Sequence, residues 1–545
     1  MHGLHQVRAR DPSAPIIAKG TAAPKGGLLG AWACALALVV LCLPIFNPDL
    51  FWHLSAARWI VAHGAVPRTD PFSFTAFGAP WIDFEWGTQV AWYAAYLLGG
   101  LWALWALKAV LLAAAFWPVD GLLREKKASG AARAGALGFW LAALLAQMDL
   151  RADLISAFFF AVLLRRLESR RASFLFGFGL FVLWANLHAG FVLGLGLYAL
   201  AALAATLERR APPSGLAAEA AGAVLGSLVN PYGAGLYRVL LSHASEPAVR
   251  AVMEWGPPSR HNAFQAPLLL AILLALVLAW GAWRRASKLL LGAAFATLCA
   301  AAFSARFGAY FATAGAMFAF SAHPKPRAAF VAAGLAAVSA SLLPIRIRLR
   351  GQPFNDLHVA RRAAEFVVRE RAALGGLRLF TQYEWGGYLG WRLGEGGLVF
   401  GDGRYLFHSQ LVEINAALTS AESLSEFAAR RRLDGFLIRH LRTNLPSTRI
   451  YADGTARSFD RPWYVSYLPR SRWALVYWDE QALVFVDRAK ARPEWLAAHE
   501  YRWTFPGDDA ARDDARARGE IPRAAAAAES ARHAAEVRRL SQAGP

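Results

Sequence analysis

The apolar run from Leu28 to Phe46 ends abruptly in Asn47-Pro48-Asp49-Leu50-Phe51-Trp52-His53-Leu54. The run is long enough to cross a hydrocarbon core of about 30 Å. No small-residue cleavage site follows it, so it reads as a retained first span. Asp49 and His53 are four residues apart, which puts both on one face of a helix. Ionisable groups at the edge of a membrane are costly and usually mark a site. The bland reading is a helix N-cap at Asp49 followed by an interfacial Trp52.

Outward from this point the chain alternates. Segment 87–100 is too short for a full span and reads as interfacial, and 101–119 returns the chain inward. Further spans are expected near 134–148, 154–166, 173–187, 189–207, 216–230, 266–283, 288–304, 307–322 and 327–344, about eleven in all. With this count the clusters Arg124/Lys126/Lys127, Arg165/Arg166/Arg170/Arg171, Arg209/Arg210, Arg284/Arg285/Lys288 and Lys325/Arg327 all fall on the cytoplasmic side. Counting 87–100 as a span inverts every one of them. The N-terminus is therefore inside, and the long segments 47–100 and 231–265 and everything after the last span are outside.

Composition agrees. The chain is 56% hydrophobic and only 18% charged, where soluble domains carry about a quarter charged residues. That excludes a disordered chain and an ordinary cytosolic enzyme. The net charge of +20 divides into +16 for residues 1–350 and +4 for the rest. The excess sits in short clusters between apolar runs, as membrane topology requires, and nucleic acid is not an expected partner. Cys34, Cys42 and Cys299 all lie in apolar runs and imply no disulfide framework.

Four units follow: a basic cytoplasmic tail (1–27), a helical membrane domain (28–344), an extracytoplasmic α/β domain (345–488) and an Ala/Arg-rich helical or disordered tail (489–545). In the α/β domain, 377–383, 398–401 and 435–438 read as strands and 359–371 as a helix. Segments 474–477 and 482–486 flank Trp478-Asp479-Glu480-Gln481 as a hairpin.

The unusual polar residues, Asp49, His53, Asp70, Asp83, Glu85, Arg151, Asp153, Asn186, His188, Asn230, Glu254, His261 and Arg306, all fall at outer span ends or in outer loops. The loop-one carboxylates, Glu85-Trp86, Leu183-Trp184-Ala185-Asn186-Leu187-His188, Asn230-Pro231-Tyr232-Gly233, Glu254-Trp255, Trp385-Gly386-Gly387-Tyr388 and Gly401-Asp402-Gly403-Arg404 follow one another in a set order. In that order the chain resembles the GT-C membrane glycosyltransferases, in the bacterial branch allied to the protein-mannosyltransferase and aminoarabinose-transferase type. The likeness covers roughly residues 28–488.

The resemblance implies a polytopic enzyme of the bacterial inner membrane. It would move a sugar from a polyprenyl-phosphate carrier to a lipid, glycan or protein acceptor on the outer face. Asp49 matches the catalytic carboxylate of the first loop, a general base for the acceptor hydroxyl, with Glu85 as the second catalytic candidate. Arg306 and Arg151 are candidates for the carrier phosphate, and His53, Asp70, Asn186 and His188 for substrate contacts. Glu85 with His261 or Glu254 is a candidate site for a divalent cation. The alternatives are a transporter or flippase of lipid-linked sugars and a non-catalytic envelope assembly protein.

Sidedness is directly measurable. In a chain with Cys34, Cys42 and Cys299 changed to Ala, Gly130→Cys is expected to be shielded from an impermeant thiol reagent in intact cells, and Ser409→Cys to label. Labelling at Gly130→Cys overturns the topology.

Overall fold

The computed structural model describes residues 25–245, 255–262, 264–342, 352–374, 376–451 and 453–542. Thirteen helices make up the first part: α1 (Lys25–Leu41), α2 (Leu50–His63), α3 (Trp86–Glu125), α4 (Gly130–Leu144), α5 (Ala152–Glu168), α6 (Phe174–Leu187), α7 (Phe191–Leu207), α8 (Leu216–Ser227), α9 (Gly235–Ser245), α10 (Ala266–Ala282), α11 (Lys288–Phe303), α12 (Gly308–Ala322) and α13 (Ala328–Leu342). Apart from α2, α9 and the first part of α3, each coincides with an apolar run. Among the described residues, α3 alone is long and apolar enough to cross a membrane by itself, and eight shorter helices are predominantly apolar.

Within α3, Gly99 and Gly100 leave helical geometry, Gly100 at φ 59° and ψ −145°. A side chain is strongly disfavoured there, so the glycine pair divides α3 into 86–98 and 101–125. The pair lies at the boundary expected between segments 87–100 and 101–119.

The bundle has two chemically different ends. At one, Lys126 binds Glu168 at 2.6 Å, Ser287 binds the same carboxylate at 2.6 Å, and Arg165 binds Glu125 at 2.6 Å. Arg166 reaches the fully buried Glu219 at 3.1 Å. The basic clusters therefore gather together. At the other end lie the starts of α2, α3 and α5, the end of α6 and the turn before α12.

One charge sits inside the apolar packing. Lys108 of α3 is fully buried and donates to the carbonyls of Leu43 and Pro44, and the indole of Trp105 also donates to Leu43 O. These bonds secure the chain just past α1. Asp149 accepts from Phe46 N at 2.7 Å, Asn47 Nδ2 donates to Leu150 O, and Asn47 Oδ1 accepts from Asp49 N at 3.1 Å. The backbone that carries Asp49 is thus tied residue by residue to α3 and to the start of α5.

The C-terminal part is built on a four-stranded sheet in the order β1-β2-β6-β5, formed by β1 (Leu379–Thr381), β2 (Gly435–Arg439), β5 (Trp473–Trp478) and β6 (Ala482–Asp487). β1 runs parallel to β2, and the other pairs are antiparallel. The expected β5–β6 hairpin is present. Residues 398–401 are not a strand: Val399 makes a single bridge to Ser73 of the first loop, between two glycine-containing turns. A second hairpin, β3 (Asn444–Ile450) with β4 (Ala456–Pro462), is mostly solvated. One face of the sheet shares a core with Leu50, Phe51 and Leu54 of α2 and with Trp92 and Leu104 of α3, so the sheet is packed onto the bundle. The last helix, Arg523–Gln542, is anchored. Glu529 accepts from three consecutive amides, 502–504, and His533 stacks on Trp478 at 3.5 Å.

Lys108→Met removes the donor of Pro44 O and one of the two donors of Leu43 O while keeping the length of the side chain. At about 1–3 kcal/mol per group left unsatisfied, the detergent-solubilised protein is expected to melt several degrees lower. An unchanged midpoint means that these carbonyls find other donors.

Candidate functional site

A cavity of about 80 Å³ opens where the two parts meet, lined by Asp49, Trp52, His53, Asp83, Glu85, Arg151, Asp153, Arg306, Gly403 and Arg404 among others. Five separate segments converge there. Helix geometry supplies the first pair: Asp49 and His53 share a face of α2, and both line the cavity. Asp49 occupies the N-cap position of α2, yet its side chain makes no capping bond. The carboxylate lies against Gly403 instead, so closely that a Cβ on that residue would overlap Oδ1.

Asp153 is the charge centre of one wall. Its carboxylate meets Arg151 at 3.6 Å, Arg306 at 3.8 Å and His188 Nε2 at 3.3 Å. Arg306 also lies over the ring of Trp255. Glu85 stands between two imidazoles, 3.8 Å from His53 Nε2 and 3.5 Å from His188 Nε2. The tautomer of neutral His188 follows from its other nitrogen. Nδ1 accepts the amide of Gly190 at 3.1 Å, so the proton sits on Nε2, facing both carboxylates. Ser156, which accepts the indole N–H of Trp184 at 2.7 Å, holds the same Nδ1 at 2.7 Å.

Burial sets the protonation states. It pushes the Glu85 carboxyl up to about 8, with Asp153, Asp83 and Asp49 adding to the shift and Arg306 opposing it. Burial raises Asp83 to about 7. It lowers His188 to about 4, Asp153 opposing and the two arginines adding. It also holds His53 well below its usual value, with Arg151 and His188 contributing. At neutral pH both imidazoles are uncharged and Glu85 holds its proton. Glu85 is then a hydrogen-bond donor.

Asp70 and Asn186 stand outside this lining. Asp70 binds Arg404 Nη1 at 2.7 Å and accepts from Phe72 N and from Ser73 N and Oγ. Asn186 joins three helices, accepting from Trp86 Nε1 and donating to Val182 O and Val229 O. The Asn230-Pro231-Tyr232-Gly233 stretch is a buttress. Tyr232 Oη accepts the amide of Asp83 at 3.0 Å and donates to Pro67 O at 2.9 Å. Glu254 lies outside the described residues, and His261 is exposed with Arg260 as its recorded partner. Among the described residues no three His, Cys, Asp or Glu side chains are grouped to hold a metal. Asp153 is already met by two guanidinium groups.

Asp153 is visible in the sequence only as one polar residue among many, and Trp52 as an interfacial anchor. Arg404 reads there as part of a structural turn, Asp402-Gly403-Arg404, with contact to the acceptor as the alternative. It is fully buried, binds Asp402 at 2.8 Å as well as Asp70, and lies against Trp81, Phe72 and Phe407. Its partners are more than three hundred residues apart in sequence, which no local pattern reveals.

No protein-family model and no curated protein sequence matches this chain. Solved structures do. The chain is similar to the archaeal oligosaccharyltransferase AglB from Archaeoglobus fulgidus in complex with an inhibitory peptide and a dolichol-phosphate. The TM-score is 0.50 at 12% identity, over 83% of this chain and 79% of that one. The Archaeoglobus fulgidus oligosaccharyltransferase tethered to an acceptor peptide containing the NVT sequon gives TM-score 0.50, 13% identity and the same coverages, 83% and 79%. ArnT from Cupriavidus metallidurans bound to undecaprenyl phosphate aligns over 86% of this chain and 99% of its own, at 15% identity and a TM-score of 0.46. The likeness to the oligosaccharyltransferase places the chain's fold with the GT-C fold.

Tyr232→Phe tests the buttress. It leaves the buried Asp83 amide and Pro67 carbonyl without partners, at a cost of about 1–3 kcal/mol. Hydrogen exchange is expected to speed up in residues 67–85 with little change at Glu219. Uniform exchange rates in both variants would make Tyr232 a packing residue only.

Proposed function

We propose that this protein is a polytopic membrane glycosyltransferase. It transfers a sugar from a polyprenyl-phosphate donor to an acceptor hydroxyl on the outer face of the membrane, with Asp49 as general base. The observation that carries this reading is the composition of the cavity wall. A candidate base, Asp49, stands in the same small cavity as two arginines that share a single carboxylate. Group transfer from a lipid phosphate needs both: a proton acceptor for the incoming hydroxyl and fixed positive charge for the departing phosphate.

The step balances without further reagents. The acceptor oxygen bonds to the anomeric carbon as the bond from that carbon to the phosphate oxygen breaks. The hydroxyl proton passes to Asp49, and the polyprenyl phosphate leaves as an anion beside Arg151 and Arg306. Protonated Glu85 and the Nε2–H of His188 add neutral hydrogen-bond donors nearby.

Membrane placement has its own support. Leu98, Trp102, Val110 and Trp117 of α3, Leu175 of α6, Leu203 of α7, and Leu273 and Trp280 of α10 are exposed apolar side chains. An uncovered surface of this kind on so many helices is what lipid contact requires. With the basic clusters on the cytoplasmic side, the cavity and the sheet domain face outward.

Asp49→Asn changes almost no volume. Transfer measured on purified protein in lipid nanodiscs is expected to fall about 10²–10⁴-fold, while binding of undecaprenyl phosphate persists. Glu85→Gln preserves a neutral hydrogen-bonding group and is expected to cost less. Near-normal transfer by Asp49→Asn removes Asp49 from the reaction and moves the base to Glu85.

A further inference from the structure

A second cavity lies beside the first and is larger, about 190 Å³ against about 80 Å³. It runs between one face of α2 and the helix Gly386–Leu393, and the proposed reaction makes no use of it. Trp52 lines both cavities. Its indole Nε1 lies against Gly403, beside Asp49, while its backbone nitrogen and Cβ face Gly387. The tryptophan is therefore a partition between the two.

Glycine keeps the second cavity open. Positions 386, 387, 390, 394, 396 and 397 all line it and are all glycine. Gly394 and Gly396 have φ of +76° and +75°, which a residue with a side chain rarely adopts. A Cβ at Gly386 would overlap the carbonyl oxygen of Gly401. The floor of the groove is thus backbone, and its chemistry comes from a few side chains on the walls.

Those side chains are of three kinds. Trp59 and Phe72 supply aromatic surface. Trp59 is half-buried, and among the described residues its ring stacks only on His63, at 4.1 Å, so the opposite face has no ring against it. Arg58 supplies donors. Its guanidinium lies over the ring of Trp391 at 4.3 Å, and its one hydrogen bond among the described residues goes to Trp391 O at 3.3 Å. Most of its five N–H groups therefore remain for a ligand. Glu395 supplies an acceptor. It is exposed at the rim, 4.0 Å from an equally exposed His63, a pair too well solvated to hold it in place.

An aromatic wall, a donor and an acceptor around a floor without side chains match a sugar ring. The C–H face of a pyranose packs on an indole, and its hydroxyls both accept and donate. A hydrocarbon chain would leave Arg58 and Glu395 unmet, and an anion would meet the carboxylate as well as the guanidinium. We propose that this groove is a binding site for a neutral sugar and seats a residue of the acceptor, which makes the acceptor a glycan. The acceptor role rests on the glycosyltransferase reading; sugar binding itself does not.

Trp59→Ala removes the aromatic wall, and Trp59→Phe keeps a smaller ring in its place. Full-length protein in lipid nanodiscs is titrated with the methyl glycosides of glucose, galactose, mannose and N-acetylglucosamine, followed by saturation-transfer NMR. Methyl glucuronide is the charged member of the panel. Undecaprenyl phosphate binding is followed in parallel by native mass spectrometry. Wild type is expected to bind at least one neutral glycoside, Trp59→Ala to bind it at least about tenfold more weakly, and Trp59→Phe to fall between them. Asp49→Asn is expected to keep glycoside binding, because Asp49 lies on the other side of Trp52. Unchanged carrier binding shows that the Trp59 variants are folded. The site is overturned if wild type binds no neutral glycoside, if only the glucuronide binds, if Trp59→Ala binds normally, or if both Trp59 variants weaken both probes alike. Failure of wild type to bind undecaprenyl phosphate, with glycoside binding intact, overturns the donor assignment and the acceptor role and leaves the sugar site standing.

Discussion

The guanidinium of Arg404 joins the first loop to the sheet-bearing part of the chain. One nitrogen reaches back to Asp70 in the loop after α2, and another binds Asp402 in its own turn. A buried ion cluster of this kind contributes little net stability compared with apolar packing. Removing one partner, however, costs about 3–5 kcal/mol, because a charge is left uncompensated. The cluster therefore fixes register. With Asp70 and Asp402 held to the same side chain, Gly403 is brought against Asp49 and the first loop cannot slide along the sheet domain. The bridge from Ser73 to Val399 and the bond from Tyr405 Oη to the Ile82 amide follow from that alignment.

Inside this frame the charges sort by depth. The carboxylate that is ion-paired, Asp153, has two arginines beside it, and the one without such a partner, Glu85, is protonated by burial. His188 links the two with a proton whose position the Gly190 amide dictates. A site arranged in this way has fixed positive charge and a neutral donor pair before any ligand arrives. Preorganisation of that kind is where most electrostatic catalysis originates.

The helices were legible in the sequence because apolar runs, glycine pairs and arginine clusters mark their limits locally. The division of α3 falls at Gly99-Gly100, where the apolar segment 87–100 gives way to the run after it. The β5–β6 hairpin was legible for the same reason, as two apolar runs around a polar turn. β3 and β4 were not, since their alternation has no apolar face to betray it. Residues 398–401 looked like a strand from hydrophobicity alone, yet flanking glycine turns leave room for one bridge only. In the site, Asp49, His53, Glu85, Arg151, His188 and Arg306 were singled out from sequence and do share one cluster of contacts. Asp70 and Asn186 carry the same chemistry but spend it on holding loops and helices together. Arg404 and Lys108 could not be ranked from sequence, because their value depends on acceptors supplied by distant segments.

The lengths of the helices carry a consequence for the surrounding lipid. Helices α4 to α8 and α10 to α13 have between 12 and 17 residues. At about 1.5 Å per residue they rise roughly 18–25 Å, short of a hydrocarbon core of about 30 Å. A bilayer meeting such a bundle thins to match it. The headgroups on the side of the cavity then sink toward the start of α5 and the end of α6. On the proposed function, hydrophobic mismatch would shorten the distance over which a lipid must lift its phosphate to meet Arg151 and Arg306.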